Sequence, residues 1–157
     1  MRTLIFDLES DGLLDATTQI HCICIADLMA GRIYEFNSQP DGRGIEEALT
    51  MLQNADTIVG HNIVGFDIPV IKKLNPSWMP RGKVRDTILM TRLIWSDLRD
   101  KDFGRINTAP DFPKNLIGSH SLKAWGHRIG MLKGDFKESN DFSEWSAEMQ
   151  EYCVQDV

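Results

Sequence analysis

Several features that define other classes of protein are scarce in this sequence. Its 157 residues include three cysteines, an odd number that does not form a closed disulfide framework and that favours a reducing compartment. No apolar run approaches the ~18 residues that a membrane-spanning helix needs. The chain reaches Asp7 too early for a signal peptide, and no small-residue cleavage site precedes it. We therefore expect a cytoplasmic protein that does not bind membranes.

Basic residues are also few relative to acidic ones. The 17 Lys and Arg against 23 Asp and Glu give a net charge of −6, which argues against a protein that coats nucleic acid. An acidic protein can still act on nucleic acid where its excess carboxylates hold divalent cations that meet the phosphates. The composition, 42% apolar and 25% charged, is that of a globular protein, and the length fits a single domain over residues 1–157.

Hydrophobic periodicity predicts an α/β domain in which helices flank a mixed sheet. Short apolar stretches predict strands at 3–8, 20–28, 32–36, 57–60 and 84–86, the first three as an antiparallel meander. Helical spacing predicts helices at 45–55, 68–74, 87–98 and 121–129, with Gly130 ending the last. A final helix is expected to open at Asp141 or Ser143 and to run to Val157. Residues 99–118 show no clean period and predict a long surface loop.

Two acidic residues follow the apolar start of the first predicted strand. Asp7 and Glu9 are two positions apart, so an extended chain directs both carboxylates to one face of the sheet. Two like charges this close raise each other's pKa unless a cation lies between them. Taken alone, an acidic turn at a strand end is the simpler interpretation.

A second group of polar residues follows the predicted strand 57–60 and opens the next helix. Asp67 falls at the N-terminus of that helix, where an ordinary N-cap is a sufficient explanation. Asn62 and Gly65 suit the turn, and we interpret His61 as a hydrogen-bonded histidine near the core rather than a metal ligand.

The third group lies in the last predicted helix. Tyr152 and Asp156 are four residues apart, which places the hydroxyl and the carboxylate on one helical face. Trp145, Met149 and Tyr152 form a stripe that core packing explains most simply. An acid near a helix C-terminus opposes the helix dipole, however, and a cation would relieve that cost.

Together these three segments resemble the motifs of the DnaQ-like (DEDD) 3′–5′ exonucleases, in the subgroup that carries a tyrosine. The shared pattern is a strand with D-x-E, a loop-to-helix Asn-x4-Asp and a helical Tyr-x3-Asp, in this order. Residues 118–130, 133–136 and 86–94 further resemble the proofreading domain of T7-like phage DNA polymerases of family A. The resemblance spans essentially the whole chain and implies a ribonuclease H-like fold.

The resemblance also implies a role for each site residue. Metal binding would fall to Asp7, Glu9, Asp67 and Asp156, and Tyr152 would orient the attacking water. Leu13 matches the position from which relatives direct an apolar side chain against the terminal base, and Asn62 matches the asparagine of the second motif. With Phe66, these two are the expected substrate-binding residues.

Phosphodiester hydrolysis near neutral pH needs an activated water and stabilisation of the leaving oxygen, which two Mg²⁺ or Mn²⁺ ions about 4 Å apart can supply. Hard cations prefer oxygen ligands, which the four acids provide. In our hypothesis Asp7 contacts both ions, Glu9 and Asp156 share one and Asp67 holds the other. Cys22 and Cys24 lie in a strand pattern without zinc spacing and are expected in the core.

We therefore expect a metal-dependent exonuclease that releases nucleoside 5′-monophosphates from single-stranded DNA 3′ ends, in a host-cell cytoplasm. The resemblance implies proofreading with a polymerase domain, in cis or in trans, that 157 residues do not contain, a truncated last helix and a monomer. Basic residues of the 99–118 segment either steer DNA or form a solvated surface; they are Arg99, Lys101, Arg105 and Lys114. Two alternatives stay open: a nucleic-acid-binding or scaffolding module with an inactive site, and an RNA-trimming exonuclease of the same superfamily.

Overall fold

The computed structural model describes residues 1–106, 111–131 and 142–157. Its elements are β1 (Thr3–Ser10), β2 (Ile20–Asp27), β3 (Arg32–Asn37), α1 (Ile45–Gln53), β4 (Thr57–Gly60), α2 (Asp67–Leu74), β5 (Lys83–Asp86), α3 (Thr87–Ile94), α4 (Leu98–Ile106), a 3₁₀ turn (Lys114–Leu116), α5 (Leu122–Ile129) and α6 (Ala147–Gln155). The chain divides into two compact units, one formed by Met1–Asp86 with Asp135–Val157 and the other by Thr87–Gly134.

The first unit contains a five-stranded mixed sheet in the order β3-β2-β1-β4-β5. The strands β1, β2 and β3 pair antiparallel, whereas β4 runs parallel to both β1 and β5. This topology confirms the predicted α/β class and the amino-terminal meander. Because β1, β4 and β5 are parallel, their carboxyl ends lie along one edge of the sheet, where α/β proteins commonly place their sites.

The two faces of the central strand β1 have different neighbours. Leu4, Phe6 and Leu8 are buried in a main core that includes residues of α1 and α2. A smaller cluster contains Cys22 and Cys24 of β2 with residues of α6; its buried members are Cys22, Cys24, Met149 and Cys153. All three cysteines are buried free thiols, so Cys22 and Cys24 lie in the core as predicted. Helix α6 is thus anchored to the sheet by apolar burial, at about 1.5–3 kcal/mol per large side chain.

A close backbone approach fixes where β4 ends. A Cβ atom at Gly60 would lie 2.7 Å from the carbonyl oxygen of Phe6 and 2.3 Å from Cγ2 of Ile63. Glycine therefore lets β4 pass close to β1 immediately before the loop that leads to Asp67.

The second unit is organised around an ion pair. Arg128 of α5 donates to Asp102 of α4 from Nε (3.0 Å) and Nη2 (2.6 Å), and both side chains are almost fully buried. Arg128 Nη1 also donates to the carbonyl of Ser119 at 2.8 Å. Helix α5 begins after Ser121, whose Oγ accepts from Ala124 N, and ends at Gly130 in the left-handed region, as predicted.

Two predictions in this unit are wrong. The segment 99–118 is not a long loop, because α4 covers Leu98–Ile106 and a 3₁₀ turn covers Lys114–Leu116. The inward positions of α4 include a charged residue, Asp102, so the hydrophobic pattern concealed the helix. The predicted helix 87–98 starts at Thr87 but is shorter than expected, because α3 ends at Ile94 and a separate helix, α4, starts at Leu98.

The limits of the last helix also differ from prediction. It begins at Ala147 rather than at Ser143, because Ser146 Oγ accepts from Met149 N at 3.1 Å and provides the N-cap. The alternative start, Asp141, lies outside the described residues. The helix ends at Gln155, with Asp156 as its C-cap, instead of continuing to Val157.

The first helix is two residues shorter than expected. It ends at Gln53, and the side chain of Asn54 donates to the carbonyl of Thr50 at 2.8 Å, which closes the last turn. Within the described ranges, no helix has both the length and the apolar character of a membrane span.

Candidate active site

Strand β1 presents Asp7 and Glu9 on one face, as predicted. Both side chains are half-buried, while Leu8 between them is buried in the main core on the other face. The strand extends to Ser10, so the two acids lie within it rather than after its end. Pairing with β4 runs only from Thr3 to Ile5, which leaves the β4 side of residues 7–10 for groups from elsewhere in the chain.

One of those groups is Asp67, the first residue of α2. Its side chain is 3% exposed, and its carboxylate accepts a hydrogen bond from the backbone N–H of Leu8. The N-cap position is occupied by Phe66, so Asp67 is not the ordinary cap that local sequence allowed. The second motif is therefore joined directly to the first.

The electrostatics at Asp67 are unfavourable for a lone carboxylate. Burial raises the pKa of Asp67 well above its ordinary range, and the negative charges of Asp7 and then Glu9 raise it further. Its Oδ1 is buried and has no hydrogen-bond partner among the residues that the structure describes. Three acids from two motifs thus influence one another, which is the arrangement that a cation would stabilise.

The loop that delivers Asp67 is held by an acid from a third strand. Asp86, at the end of β5, accepts from the backbone N–H groups of Asn62 (3.0 Å) and Val64 (2.9 Å). Asn62 has a positive φ of 68°, and its carbonyl accepts from Gly65 N and Phe66 N at 3.0 Å each. Sequence reasoning did not assign this role to Asp86, and its separation of 24 residues from Asn62 offers no local signal.

The third motif reaches β1 through a cysteine. The thiol of Cys153 donates to the carbonyl of Asp7 at 3.4 Å and contacts the thiols of Cys22 and Cys24. In the β1–β2 register these two cysteines lie opposite Glu9 and Asp7 respectively. Tyr152 on α6, which is 7% exposed, and Asp156 at the C-cap of α6, which is half-buried, flank this contact. The helix that carries them is therefore packed against the strand that carries Asp7 and Glu9.

The donor set fits a hard divalent cation. No three His, Cys, Asp or Glu side chains in the described part of the chain already form a compact metal cluster. However, the buried Asp67 Oδ1 and the raised pKa of Asp67 are both costs that a cation beside Asp7 would offset. The residues that could hold such ions are Asp7, Glu9, Asp67 and Asp156.

The predicted substrate-binding residues have different environments. Leu13 is 80% exposed on the loop between β1 and β2, and Asn62 is exposed on the loop after β4. Phe66 is half-buried and packs partly against the main core. His61, which we did not assign to the metal, is half-buried at the end of β4.

The basic residues once expected in a long loop belong to the second unit, where most have local partners. Lys101 pairs with Asp97 at 2.8 Å, and Arg105 Nη1 donates to the carbonyl of Arg128 at 3.1 Å. The guanidinium of Arg99 lies 5.7 Å from the ring centre of Phe103, whereas Lys114 is exposed. The part-buried bond of Arg105 favours a structural role for that residue, whereas the Lys101–Asp97 pair is exposed at both side chains and contributes little to stability.

Comparison with solved structures defines the class of the fold. Brucella melitensis NrnC is 18% identical with a TM-score of 0.63, over 99% of this chain and 66% of that chain. Escherichia coli RNase D is 14% identical with a TM-score of 0.59, over 99% and 36%. The E. coli ExoI–ssDNA complex is 16% identical with a TM-score of 0.55, over 90% and 38%. The chain has the ribonuclease H-like fold of the DnaQ-like exonucleases.

Comparison of sequences narrows the relationship. The chain is 32% identical to the DNA-directed DNA polymerase of Enterobacteria phage T3 and 31% identical to that of Escherichia phage T7, each over an alignment of 175 residues. It is homologous to the N-terminal region of these two phage DNA polymerases. Each alignment covers 98% of this chain and 25% of the polymerase, so the chain spans about a quarter of the length of these relatives. No protein-family model matches the chain.

Proposed function

We propose that this chain is a metal-dependent 3′–5′ exonuclease that removes nucleoside 5′-monophosphates from DNA 3′ ends, as the proofreading part of a phage-type DNA polymerase. One observation carries the proposal: Asp67 is buried beside Asp7 and Glu9, and their charges raise its pKa. Without a cation these acids repel one another and destabilise the fold. With a divalent cation between them, the same carboxylates serve as its ligands. Homology to the T3 and T7 polymerases supports DNA as the substrate.

Each motif would contribute a distinct function. Asp7, Glu9, Asp67 and Asp156 would hold the ions, and divalent cations bound there would activate the attacking water and neutralise the leaving oxygen. Tyr152, from its hydroxyl, would orient that water toward phosphorus. The water oxygen would bond to phosphorus and lose a proton to solvent while the phosphorus–O3′ bond breaks; the 3′ oxygen would take up a proton from solvent on the shortened strand, and the terminal nucleotide would leave as its 5′-monophosphate.

Structural relatives support the cofactor and the substrate. NrnC has been solved with bound Mg²⁺, and ExoI has been solved in a zinc-bound form with single-stranded DNA. Oxygen ligands of the kind found here favour Mg²⁺ or Mn²⁺, and we propose two such ions. We further propose that the chain acts as a monomer on unpaired 3′ ends, with a polymerase domain in cis or in trans, in the cytoplasm of an infected cell.

An RNA substrate is the second candidate. RNase D, which has the same fold, is described as an exoribonuclease involved in structured RNA processing, and NrnC has been solved with bound pGG. Discrimination between DNA and RNA rests on how the site receives a 2′-hydroxyl. Matched DNA and RNA oligonucleotides with the same sequence therefore test it, and faster digestion of RNA would favour this candidate.

The central experiment is digestion of a 5′-labelled single strand in Mg²⁺. We expect a ladder that shortens from the 3′ end, with nucleoside 5′-monophosphates as product, and loss of that activity in Asp7→Ala. Asp41→Ala is a matched control, because Asp41 is an exposed acid in the turn before α1. Full activity in Asp7→Ala, with the fold preserved by circular dichroism, would refute the proposal. Binding of DNA without Mg²⁺-dependent turnover by the unmodified chain would favour a binding module instead.

A further inference from the structure

The loop between β1 and β2 is held by many hydrogen bonds, although Leu13 within it faces solvent. Leu13 is 80% exposed, yet its carbonyl accepts from Ala16 N and Thr17 N at 2.8 Å each. The hydroxyl of Thr17, a residue that is 1% exposed, lies 2.9 Å from the same oxygen and 2.5 Å from the carbonyl of Gly12. A single exposed leucine is ordinary, but one on a tightly bonded turn is displayed in a fixed position.

The base of this loop is closed by an acid. The carboxylate of Asp11 accepts from Thr18 N at 2.9 Å and Gln19 N at 3.1 Å, and it also accepts from the hydroxyl of Thr18. Both ends of the loop therefore continue directly from paired strands. Such a loop loses little conformational entropy when it contacts a ligand.

The outer part of the loop is bound by a lysine from α2. Lys73 Nζ donates to the carbonyls of Leu14 at 2.9 Å and Asp15 at 2.8 Å. Helix α2 begins at Asp67, so this side chain joins the helix of a proposed metal ligand to the loop that displays Leu13. A lysine near a helix C-terminus also favours the dipole, but that requirement is met equally by Lys72 and does not explain bonds to the loop.

We propose that Lys73 is a positioning residue, which fixes the loop of Leu13 relative to Asp67 so that an apolar contact with the terminal base places the 3′ end on the carboxylates. The inference rests on the proposed function and deepens it. Its physical basis is preorganisation, because a loop that is already held in its binding conformation loses less conformational entropy when the 3′ end binds, which lowers KM.

The first test distinguishes the positioning role of Lys73 from the effect of its positive charge alone. Lys73→Met keeps the length of the side chain but removes both hydrogen bonds, and Lys72→Met removes the same charge from an exposed neighbour that has no bond to the described loop. We expect KM for single-stranded DNA to rise roughly three- to tenfold in Lys73→Met, with kcat and the Mg²⁺ dependence unchanged. Lys73→Arg, which can still donate to both carbonyls, should recover much of the loss.

An equal rise of KM in Lys72→Met would overturn the inference, because loss of electrostatic attraction for DNA would then explain both variants. A strand with an abasic 3′-terminal residue provides a further control. Without a terminal base, Leu13 has nothing to contact, so Lys73→Met should no longer differ from the unmodified chain. The same logic predicts that Lys73→Met adds nothing to KM in a Leu13→Ala background, and additive effects would contradict it.

A measurement that needs no activity keeps this inference apart from the proposed function. Amide hydrogen exchange at Ala16 and Thr17 reports the turn that holds Leu13, and we expect it to accelerate in Lys73→Met but not in Lys72→Met. Unchanged exchange would overturn the role of Lys73. Absence of nuclease activity in the unmodified chain would instead refute the proposed function. The exchange measurement would still test whether the hydrogen bonds of Lys73 hold the loop.

Discussion

The thiol of Cys153 donates to the main-chain carbonyl of Asp7 across 3.4 Å, between residues 146 positions apart in the sequence. Cys153 lies one residue after Tyr152 and three before Asp156, and it is completely buried. Together with the burial of Met149 against Cys22 and Cys24, the contact determines which face of α6 packs against the sheet. A small residue at this position allows the helix to approach the strand closely.

Replacement of Cys153 should impair metal use more than it impairs the fold. Cys153→Ala removes the donor and leaves a small cavity beside Cys22 and Cys24, at a cost of about 1–2 kcal/mol in the free energy of unfolding. We expect the Mg²⁺ concentration for half-maximal activity to rise several-fold, because Asp156 is held less firmly. Glu151→Ala, an exposed change on the same helix, is the control. An unchanged Mg²⁺ requirement in Cys153→Ala would contradict this prediction.

Burial also makes the same thiol unreactive. Burial raises the pKa of Cys153 well above its ordinary range, and hydrogen bonds with the thiols of Cys22 and Cys24 raise it further. We therefore expect iodoacetamide to leave all three cysteines unmodified in the folded protein near pH 8 and to modify them after denaturation. Mass spectrometry of the alkylated peptides checks this, and rapid modification of Cys153 under native conditions would exclude the packing described here.

Much of the sheet could be predicted because its information is local. The strands at 20–27 and 57–60 are short and mostly apolar, and the i, i+2 spacing of Asp7 and Glu9 suffices to place them on one face. Helix α4 could not be predicted in this way, since its buried Asp102 depends on Arg128 in another helix. A hydrophobic pattern does not record a charge that is buried with its partner.

The site could be predicted only in part for a related reason. Its motifs predicted Asp7, Glu9 and Asp67 as ligands, and in the structure the charges of Asp7 and Glu9 act on the buried Asp67. The residues that hold the motifs in place act through main-chain groups instead: Asp86 binds N–H groups of the Asn62 loop, and Cys153 binds the carbonyl of Asp7. Any sequence provides such N–H and carbonyl groups, so nothing in the sequence marks which of them are bound.

The pKa of Asp67 predicts an unusual dependence of stability on pH. In a metal-free solution the folded chain keeps a proton on Asp67 above its ordinary pKa of 3.8, whereas the unfolded chain loses it. The folded state is therefore progressively destabilised as pH rises from about 3.8 to the raised pKa, and the penalty is complete above it. We expect Asp67→Asn to raise the Tm by about 2–6 °C in EDTA at neutral pH, where Asp41→Asn should not.

Divalent cations should reverse the order of these stabilities. Asp67→Asn lacks one of the four proposed ligands, so millimolar Mg²⁺ or Mn²⁺ should raise the Tm of the unmodified chain by more than it raises the Tm of Asp67→Asn. Thermal unfolding followed by circular dichroism in EDTA and in Mn²⁺ measures both effects. If, in the absence of metal, Asp67→Asn has a lower Tm than the unmodified chain, the ionised carboxylate of Asp67 does not destabilise the fold.

The role of Asp86 predicts a graded series of variants. Asp86→Ala leaves the N–H groups of Asn62 and Val64 without their acceptor, at a cost of about 1–3 kcal/mol for each one that stays buried. Asp86→Asn keeps one acceptor oxygen and should lose roughly half as much stability. Because Asp67 follows this loop, both variants should also lower kcat, in the same order. Equal stability of the two variants in urea denaturation would contradict the two-acceptor arrangement.

The loss of stability expected at the ion pair of the second unit depends on whether one or both of its charges are removed. Arg128→Met leaves Asp102 buried and without its guanidinium, so we expect a loss of about 3–5 kcal/mol. Arg128→Met combined with Asp102→Leu removes both charges and should recover most of that loss, although the carbonyl of Ser119 then lacks its donor. A double variant as unstable as the single one would show that Arg128 acts mainly through Ser119.

At low pH, the unmodified chain should lose part of the stability that it gains from the pair of Asp102 and Arg128. Burial alone raises the pKa of Asp102, but hydrogen bonds from Arg128 and from Gly118 N outweigh it and hold the pKa below its ordinary 3.8. A carboxylate with a lowered folded-state pKa stabilises the fold fully above the unfolded value, and that stabilisation is lost as pH falls below it. Urea unfolding at pH 7 and pH 3 should therefore show the difference between the unmodified chain and the double variant shrinking at the lower pH, because below about 3.8 the unfolded chain takes up a proton on Asp102 more readily than the folded chain does.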